Sequence, residues 1–457
     1  MKMKRILSVF LLALLLLSDL AVPRAAALEP PEIQCQAALL MDQETGAVVY
    51  AKNEKQEMYP ASLTKIMTAL LVLEAVEDGR LSLSQEITAS ASALMGLPDD
   101  GSTAGIREGE TLTVEDLLRC MLIVSANEAC TILAEAASGS VDSFVEAMNA
   151  KAEVLGCANT HFVNPHGLHD PRHYTTAWDM YLITREAMTH PEFMTICNTS
   201  YCTIPATNLG PERTLRSTNY LINGWTTRGY LNSDAHGIKT GSTSQAGHCL
   251  VSSAIRGSMS LVSVVLGGER KTLDDGEIRT YSFYDTNQLF RWGFENFSYQ
   301  TVLKAKDPVQ EIEVALADPN ENHVTVHPAD DVDVLLPNDL TVEDLERTVA
   351  LKGETVEAPV AEGDVLGTIT LSHGDTVYAT VDLLAMHGVE ASRRQVFLRD
   401  AKLFLEQTWV RAAAGVILAL VVLLGAWRLF FSRRRYRYGR DVSRSRRSGY
   451  RGRGRRR

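Results

Sequence analysis

Three short motifs carry side chains suited to acyl-transfer chemistry. Ser62-Leu63-Thr64-Lys65 is an SxxK, Ser125-Ala126-Asn127 an SxN, and Lys239-Thr240-Gly241 a KTG. Each alone arises often by chance; in this order they form a specific combination. A serine hydroxyl is a weak nucleophile and needs a base. Residues i and i+3 of a helix share a face, with β-carbons ~5–6 Å apart, so Lys65 is expected beside Ser62. Lys65 can take a proton only as a neutral amine, and at its reference pKa of ~10.4 less than ~0.1% is neutral at pH 7. Roughly 4 kcal/mol, supplied by burial beside a second cation, makes it competent. Lys239 is expected to be that cation and to attract a substrate carboxylate, with Thr240, Gly241 and Ser242 completing the substrate-binding edge. Ser125 is expected to relay a proton to a leaving amine, and Asn127 to hold a substrate amide and orient Lys65. The backbone N–H groups of Ser62 and Ser242 are expected to form an oxyanion hole, each donor supplying roughly 2.7–4 kcal/mol. A serine N-cap would account for Ser62 alone, but not for the other two motifs.

The elements that must hold these residues follow from hydrophobic periodicity. Ser62–Asp78 reads as a helix, with Ile66, Met67, Leu70, Leu73 and Val76 apolar at helical spacing. Thr113–Cys120 and Ala126–Ala137 read as two helices broken around Ser125. Ala37–Met41 and Ala47–Tyr50 read as strands, as do Gly237–Ser242, Cys249–Ile255 and Leu261–Leu266, and Thr286–Phe294 reads as a helix. Strands at both ends with helices between predict an α+β domain over 28–299 whose terminal segments share one sheet. Residues 300–395 change to short β-like runs (Val309–Val314, Val324–Val326, Val332–Leu335, Thr348–Leu351, Val365–Leu371, Thr376–Val381) separated by Gly, Pro, Asn and Asp, which predicts a small all-β domain.

The ends read as targeting segments. Lys2, Lys4 and Arg5, the apolar run Ile6–Leu17 and Ala25-Ala26-Ala27 fit a signal peptide over 1–27. Residues 409–431 are almost wholly apolar between Trp409 and Phe431, about 35 Å of helix at ~1.5 Å per residue, enough to span a bilayer. Phe397, Ala401 and Phe404 give a juxtamembrane amphipathic segment over 396–408. The Arg-rich tail 432–457 puts itself in the cytoplasm and 28–408 outside by the positive-inside rule. The net charge of −11 comprises +12 on that tail, +3 on residues 1–27 and +1 at Arg428, which leaves −27 on 28–427. So acidic a body repels nucleic acid, and none is expected as a partner. With 45% apolar and 22% charged residues in 457, disordered and collagen-like classes are excluded. Export permits disulfides among Cys35, Cys120, Cys130, Cys157, Cys197, Cys202 and Cys249, but spacing fixes no pairing and several read as small core residues. His161, His166, His169 and His173, with Asp170, match no common zinc-ligand spacing, so no metal and no cofactor is expected.

With these motifs the chain resembles the serine D-alanyl-D-alanine carboxypeptidases, the low-molecular-weight penicillin-binding proteins. Tyr59-Pro-Ala-Ser-Leu-Thr-Lys-Ile-Met-Thr68 is similar to the family's nucleophile segment, and Ser125-Ala-Asn-Glu-Ala129 to its second motif. Asn164-Pro-His-Gly-Leu168, His173-Tyr-Thr-Thr-Ala177 and Gly237-Ile-Lys-Thr-Gly241 match further stretches, and 300–390 looks like the β domain that follows. The resemblance implies a penicillin-recognising catalytic domain with Ser62 as acyl-enzyme nucleophile, Lys65 as proton acceptor, Ser125 as third active-site residue and Lys239 as substrate binder. It implies removal of the terminal D-Ala from peptidoglycan stem pentapeptides, covalent inhibition by β-lactams, a role in cell-wall biosynthesis and remodelling, and a cell-membrane location through the C-terminal helix. Two departures stand out: Ser242 follows KTG where Tyr or His is frequent, and Arg279 is the nearest match to an arginine usually placed closer to the following helix. A class A β-lactamase would need a deacylating Glu in an ExxLN context between Asn127 and Lys239, which is missing. A silent β-lactam sensor signalling through the tail would acylate without turnover.

Overall fold

The computed structural model describes residues 29–225, 227 and 229–432; the signal-peptide and Arg-tail expectations lie outside the described residues, apart from Ser432. The chain forms two compact units. The first runs to Ala305 and takes in Asp330–Val349 and Ile369–Val381; the second takes Lys306–Ala329, Ala350–Thr368 and the chain from Asp382 onward.

In the first unit a five-stranded sheet has the order Val48–Lys52, Ala37–Asp42, Met259–Gly268, Gly247–Arg256, Ala235–Thr243, antiparallel throughout. Ala37 registers with Leu266, so N-terminal and late strands share the sheet as their apolar patterns predict. Ala37–Asp42 is buried along its whole length because both faces are covered. Ala37, Leu39 and Met41 point into one core with the helical layer, while Ala38 and Leu40 point into a second core with Leu289 and Phe290 of helix Tyr281–Asn296. Each such fully buried Leu contributes about 1.5–3 kcal/mol. Gly293 lets that helix approach: an added β-carbon would lie 2.8 Å from Leu261 Cδ1 and 3.0 Å from Leu40 Cδ2. Phe297–Leu303 then pairs with Val332–Pro337, and Tyr299 Oη donates to Asp42 Oδ1 at 2.6 Å.

In the helical layer, helix Lys65–Glu77 is buried on nearly every side, unlike the one-sided helix its spacing suggests. Helices Val114–Ile123, Asn127–Ser138, Val141–Val154, Ala177–Ala187 and Pro191–Cys197 surround it. Thr113 and Thr176 cap two of these by accepting from Asp116 N and Asp179 N.

In the second unit Gln310–Ala315 pairs antiparallel with His323–Pro328 and parallel with Thr355–Glu357. Val326–Pro328 registers with Leu383–Ala385. Alternate residues Ile312, Val314, Val324 and Val326 are buried. Helix Arg393–Glu406 has no buried residue, and Thr408–Phe431 is a 24-residue apolar helix, likewise without a buried residue and long enough to cross a membrane. None of the seven cysteines is paired, and six are buried as core residues.

Gly167 fixes the start of the central helix from outside. Its φ is +85°, and an added β-carbon would lie 1.9 Å from the Ala61 carbonyl oxygen. Gly167→Ala should therefore cost ~2 kcal/mol or more, read as a lowered Tm; an unchanged Tm would refute this packing.

Candidate active site

The three motifs meet in one cleft of about 420 Å³, whose lining includes Ser62, Ser125, Thr240, Gly241 and Ser242. Ser62 lies in a 3-10 turn, Ala61–Thr64, and the α-helix starts only at Lys65. No side chain caps either start, so Ser62 is not an N-cap. Ala61, just before the expected helix Ser62–Asp78, has φ +47°, a left-handed conformation uncommon for a residue with a side chain, and the first residues of that expected helix form the 3-10 turn instead. Thr64 Oγ1 donates to the Ala61 carbonyl at 2.9 Å and accepts from His173 Nε2 at 2.8 Å, the ring being fixed by Val163 N donating to Nδ1 at 3.1 Å.

Lys65 is fully buried. Its Nζ donates to Asn127 Oδ1 at 2.9 Å and to the His166 carbonyl at 2.7 Å, and lies 3.0 Å from Ser62 Oγ. The first two partners can only accept, which consumes two N–H groups. The remaining direction faces the Ser62 hydroxyl, where a neutral amine presents its lone pair. Burial pushes the Lys65 pKa below the ordinary lysine range, against the opposing influence of Cys130 and Glu128. Burial is thus the leading cause, as the sequence reading expects, while Lys239 is not among the groups that shift it. Lys239 is lowered as well, to about 7, by burial first and by its Lys65 neighbour second.

The segment Asn164–Leu168 supplies the His166 carbonyl, a contribution that reading side chains missed. Asn164 Oδ1 accepts from Gly167 N at 2.6 Å and its Nδ2 donates to Leu168 O at 2.9 Å, while Thr68 Oγ1 donates to Pro165 O at 2.6 Å. These bonds tie the turn to the central helix.

Ser125 sits between helices Val114–Ile123 and Asn127–Ser138 with φ +66°, a strained backbone costing of order 1–3 kcal/mol. Its Oγ is buried and has no hydrogen-bond partner among the described residues. Lys239 Nζ donates to the Thr240 carbonyl at 3.0 Å. The Thr240 hydroxyl meets that of Thr218 at 2.5 Å. Gly241 allows the strand to touch the nucleophile turn: an added β-carbon would lie 2.8 Å from Pro60 O and 3.2 Å from Ser62 N. A register shift between His236 and Lys239 frees the Gly237 carbonyl, which accepts from Asn219 Nδ2 at 2.6 Å and Ser252 Oγ at 2.5 Å. Arg279 is drawn to Glu277 at 3.2 Å and lies over the Tyr284 ring, outside the cleft lining, whereas Arg270 lines the cleft.

Residues 24–270 match the family model of D-alanyl-D-alanine carboxypeptidases, and 297–391 that of the penicillin-binding protein 5 C-terminal domain. The chain is 30% identical to D-alanyl-D-alanine carboxypeptidase DacF of Bacillus subtilis, over 87% of this chain and 97% of that protein. It is 33% identical to DacA of Haemophilus influenzae, over 79% of this chain and 86% of that one. The structure of penicillin-binding protein 5 from Haemophilus influenzae superposes with a TM-score of 0.64 at 32% identity, covering 79% of this chain and 99% of that one.

Burial of neutral imidazoles beside the site has a pH consequence. Burial, then the Lys65 charge, lowers the His166 pKa to about 3, and burial first lowers that of His173 to about 4. Below about 6.5 the unfolded chain binds protons that the folded chain refuses, so stability falls as pH falls. From pH 6.5 to 5 each histidine should remove roughly 1–2 kcal/mol, read as a declining Tm; a Tm flat or rising over that window would contradict it.

Proposed function

The chain belongs to the D-alanyl-D-alanine carboxypeptidase family, and from that premise we propose how its own residues divide the work of releasing D-Ala from peptidoglycan stem peptides. Ser62 Oγ attacks the carbonyl carbon of the penultimate D-Ala while neutral Lys65 takes its proton. The backbone N–H groups of Ser62 and Ser242 receive the negative charge on the carbonyl oxygen. Ser125 passes a proton to the departing amine of the terminal D-Ala, leaving an ester on Ser62. Water then attacks that ester with Lys65 again as base, and Ser62 leaves with the proton. A β-lactam acylates Ser62 by the same attack, but its leaving amine stays tethered by the opened ring.

The observation that carries this reading is the set of contacts around Lys65 Nζ: two obligate acceptors and Ser62 Oγ, with no exposure to water. Thr240, Ser242 and Arg270 on the cleft lining suit the anionic end of the substrate, with Asn127 and Lys239 behind them. Lys239 acts from behind the cleft as a buried neighbour, the residue being 1% exposed and its amine donating to the Thr240 carbonyl. The apolar helix Thr408–Phe431 anchors the protein in the membrane, with the Arg-rich tail on the cytoplasmic side and the cleft outside.

Ser62→Ala should abolish covalent labelling by fluorescent penicillin while leaving the circular dichroism spectrum and Tm unchanged; persistent labelling would show the nucleophile is elsewhere. Lys65→Arg should slow D-Ala release by about 10²–10⁴-fold, because a guanidinium does not become neutral. Turnover near the unsubstituted rate would remove the base role from Lys65. Arg270→Ala should raise KM for a peptide with a free C-terminal carboxylate by about tenfold or more and change kcat little; an unchanged KM would exclude Arg270 from binding.

A further inference from the structure

One buried carboxylate beside the site has no part in the steps above. Glu128 is 4% exposed and follows Asn127 at the start of helix Asn127–Ser138, where the helix dipole favours an acidic group. Its Oε1 accepts from Thr103 Oγ1 at 2.7 Å, from Ala104 N at 2.7 Å and from Ile106 N at 3.4 Å. The same loop grips Asn127. Asn127 N donates to the Ser102 carbonyl at 2.9 Å, and a β-carbon added at Gly101 would lie 2.9 Å from Asn127 Nδ2. Ser102 lines the cleft with Ser62 and Ser125. Residues 101–106 are therefore clamped to the two residues that open this helix, and one of those two holds Lys65 Nζ through its Oδ1.

We propose that Glu128 is a positioning residue for the acyl-enzyme reaction: it locks the loop Gly101–Ile106 as a fixed wall of the cleft and, through Asn127, sets the Lys65 amine against Ser62. The inference rests on the acyl-enzyme reading given above. It separates two effects that a purely structural role would not separate. Losing the acceptor frees the loop wall: the part-buried Ala104 N–H and Thr103 hydroxyl and the buried Ile106 N–H all lose their shared partner. Losing only the charge acts on Lys65. The groups facing Lys65 are Glu128 and Cys130 from their shared helix, Lys239 from the KTG strand and His166 from the Asn164–Leu168 turn. Glu128 is the carboxylate among them and favours the ammonium form of Lys65, opposing burial. A neutral replacement that keeps the acceptor oxygen therefore lets Lys65 stay neutral to lower pH.

The test compares Glu128→Gln and Glu128→Ala in the full chain in detergent micelles. Acylation by fluorescent penicillin is followed across pH, together with D-Ala release from a pentapeptide. Glu128→Gln should keep its plateau acylation rate within about threefold and move the acidic limb of the profile to lower pH. Glu128→Ala should lower the plateau rate about 10- to 100-fold through a displaced wall. A Glu128→Gln profile that superposes on the unsubstituted one overturns the proposal. So does a Glu128→Ala chain that loses Tm but keeps its plateau rate. If Glu128→Ala does not fold, the Glu128→Gln profile alone decides. An unsubstituted chain that neither labels nor releases D-Ala would instead overturn the acyl-enzyme reading.

Discussion

Lys65 Nζ sits out of reach of water between two oxygens that can only accept, Asn127 Oδ1 and His166 O. That constraint organises the rest of the site. An ammonium in a dry pocket is disfavoured, and burial lowers the Lys65 pKa despite the opposing influence of Cys130 and Glu128. Two N–H groups are committed, so the orbital that remains points at the Ser62 hydroxyl 3.0 Å away. Nucleophile and base are thereby matched by geometry before any substrate arrives, which is the form of preorganisation that lowers an acyl-transfer barrier.

The scaffold works to keep that pocket closed. The central helix is wrapped by five others, so the amine at its first turn is buried by layers on several sides. Gly167 and Gly241 bring two distant backbones against the Ala61–Thr64 turn at separations that leave no room for a β-carbon. The Asn164–Leu168 turn delivers a carbonyl where a side chain would have to reach, and His173 braces the Ala61–Thr64 turn through Thr64. The five-stranded sheet contributes the KTG edge, held in register by Asn219 and Ser252 on the Gly237 carbonyl.

Much of this was legible in the residues. The apolar runs Ala37–Met41 and Leu261–Leu266 announced strands of a shared sheet, and the SxxK, SxN and KTG motifs announced residues that the fold brings to one cleft. What stayed hidden has physical causes. The 3-10 start at Ala61 depends on a positive φ that no side-chain pattern encodes. The His166 carbonyl is a backbone group, silent in any motif of side chains. Arg270 replaced Arg279 at the cleft because a pairing with Glu277 and the Tyr284 face holds the latter elsewhere, a tertiary choice between two similar residues. The chemical role of Glu128 was invisible for the same reason, since its partners lie in a loop more than twenty residues earlier in the chain.

The most direct test of the central claim is the protonation state of the Lys65 amine itself. Full chain carrying ¹³Cε-labelled lysine, with the Lys65 resonance assigned by its loss in Lys65→Ala, can be titrated by NMR in micelles. A titration midpoint well below the ordinary lysine value of ~10.4 is the predicted result. A Lys65 resonance that titrates in that ordinary range would contradict the account, because the amine would then be a cation beside Ser62 and unable to take its proton.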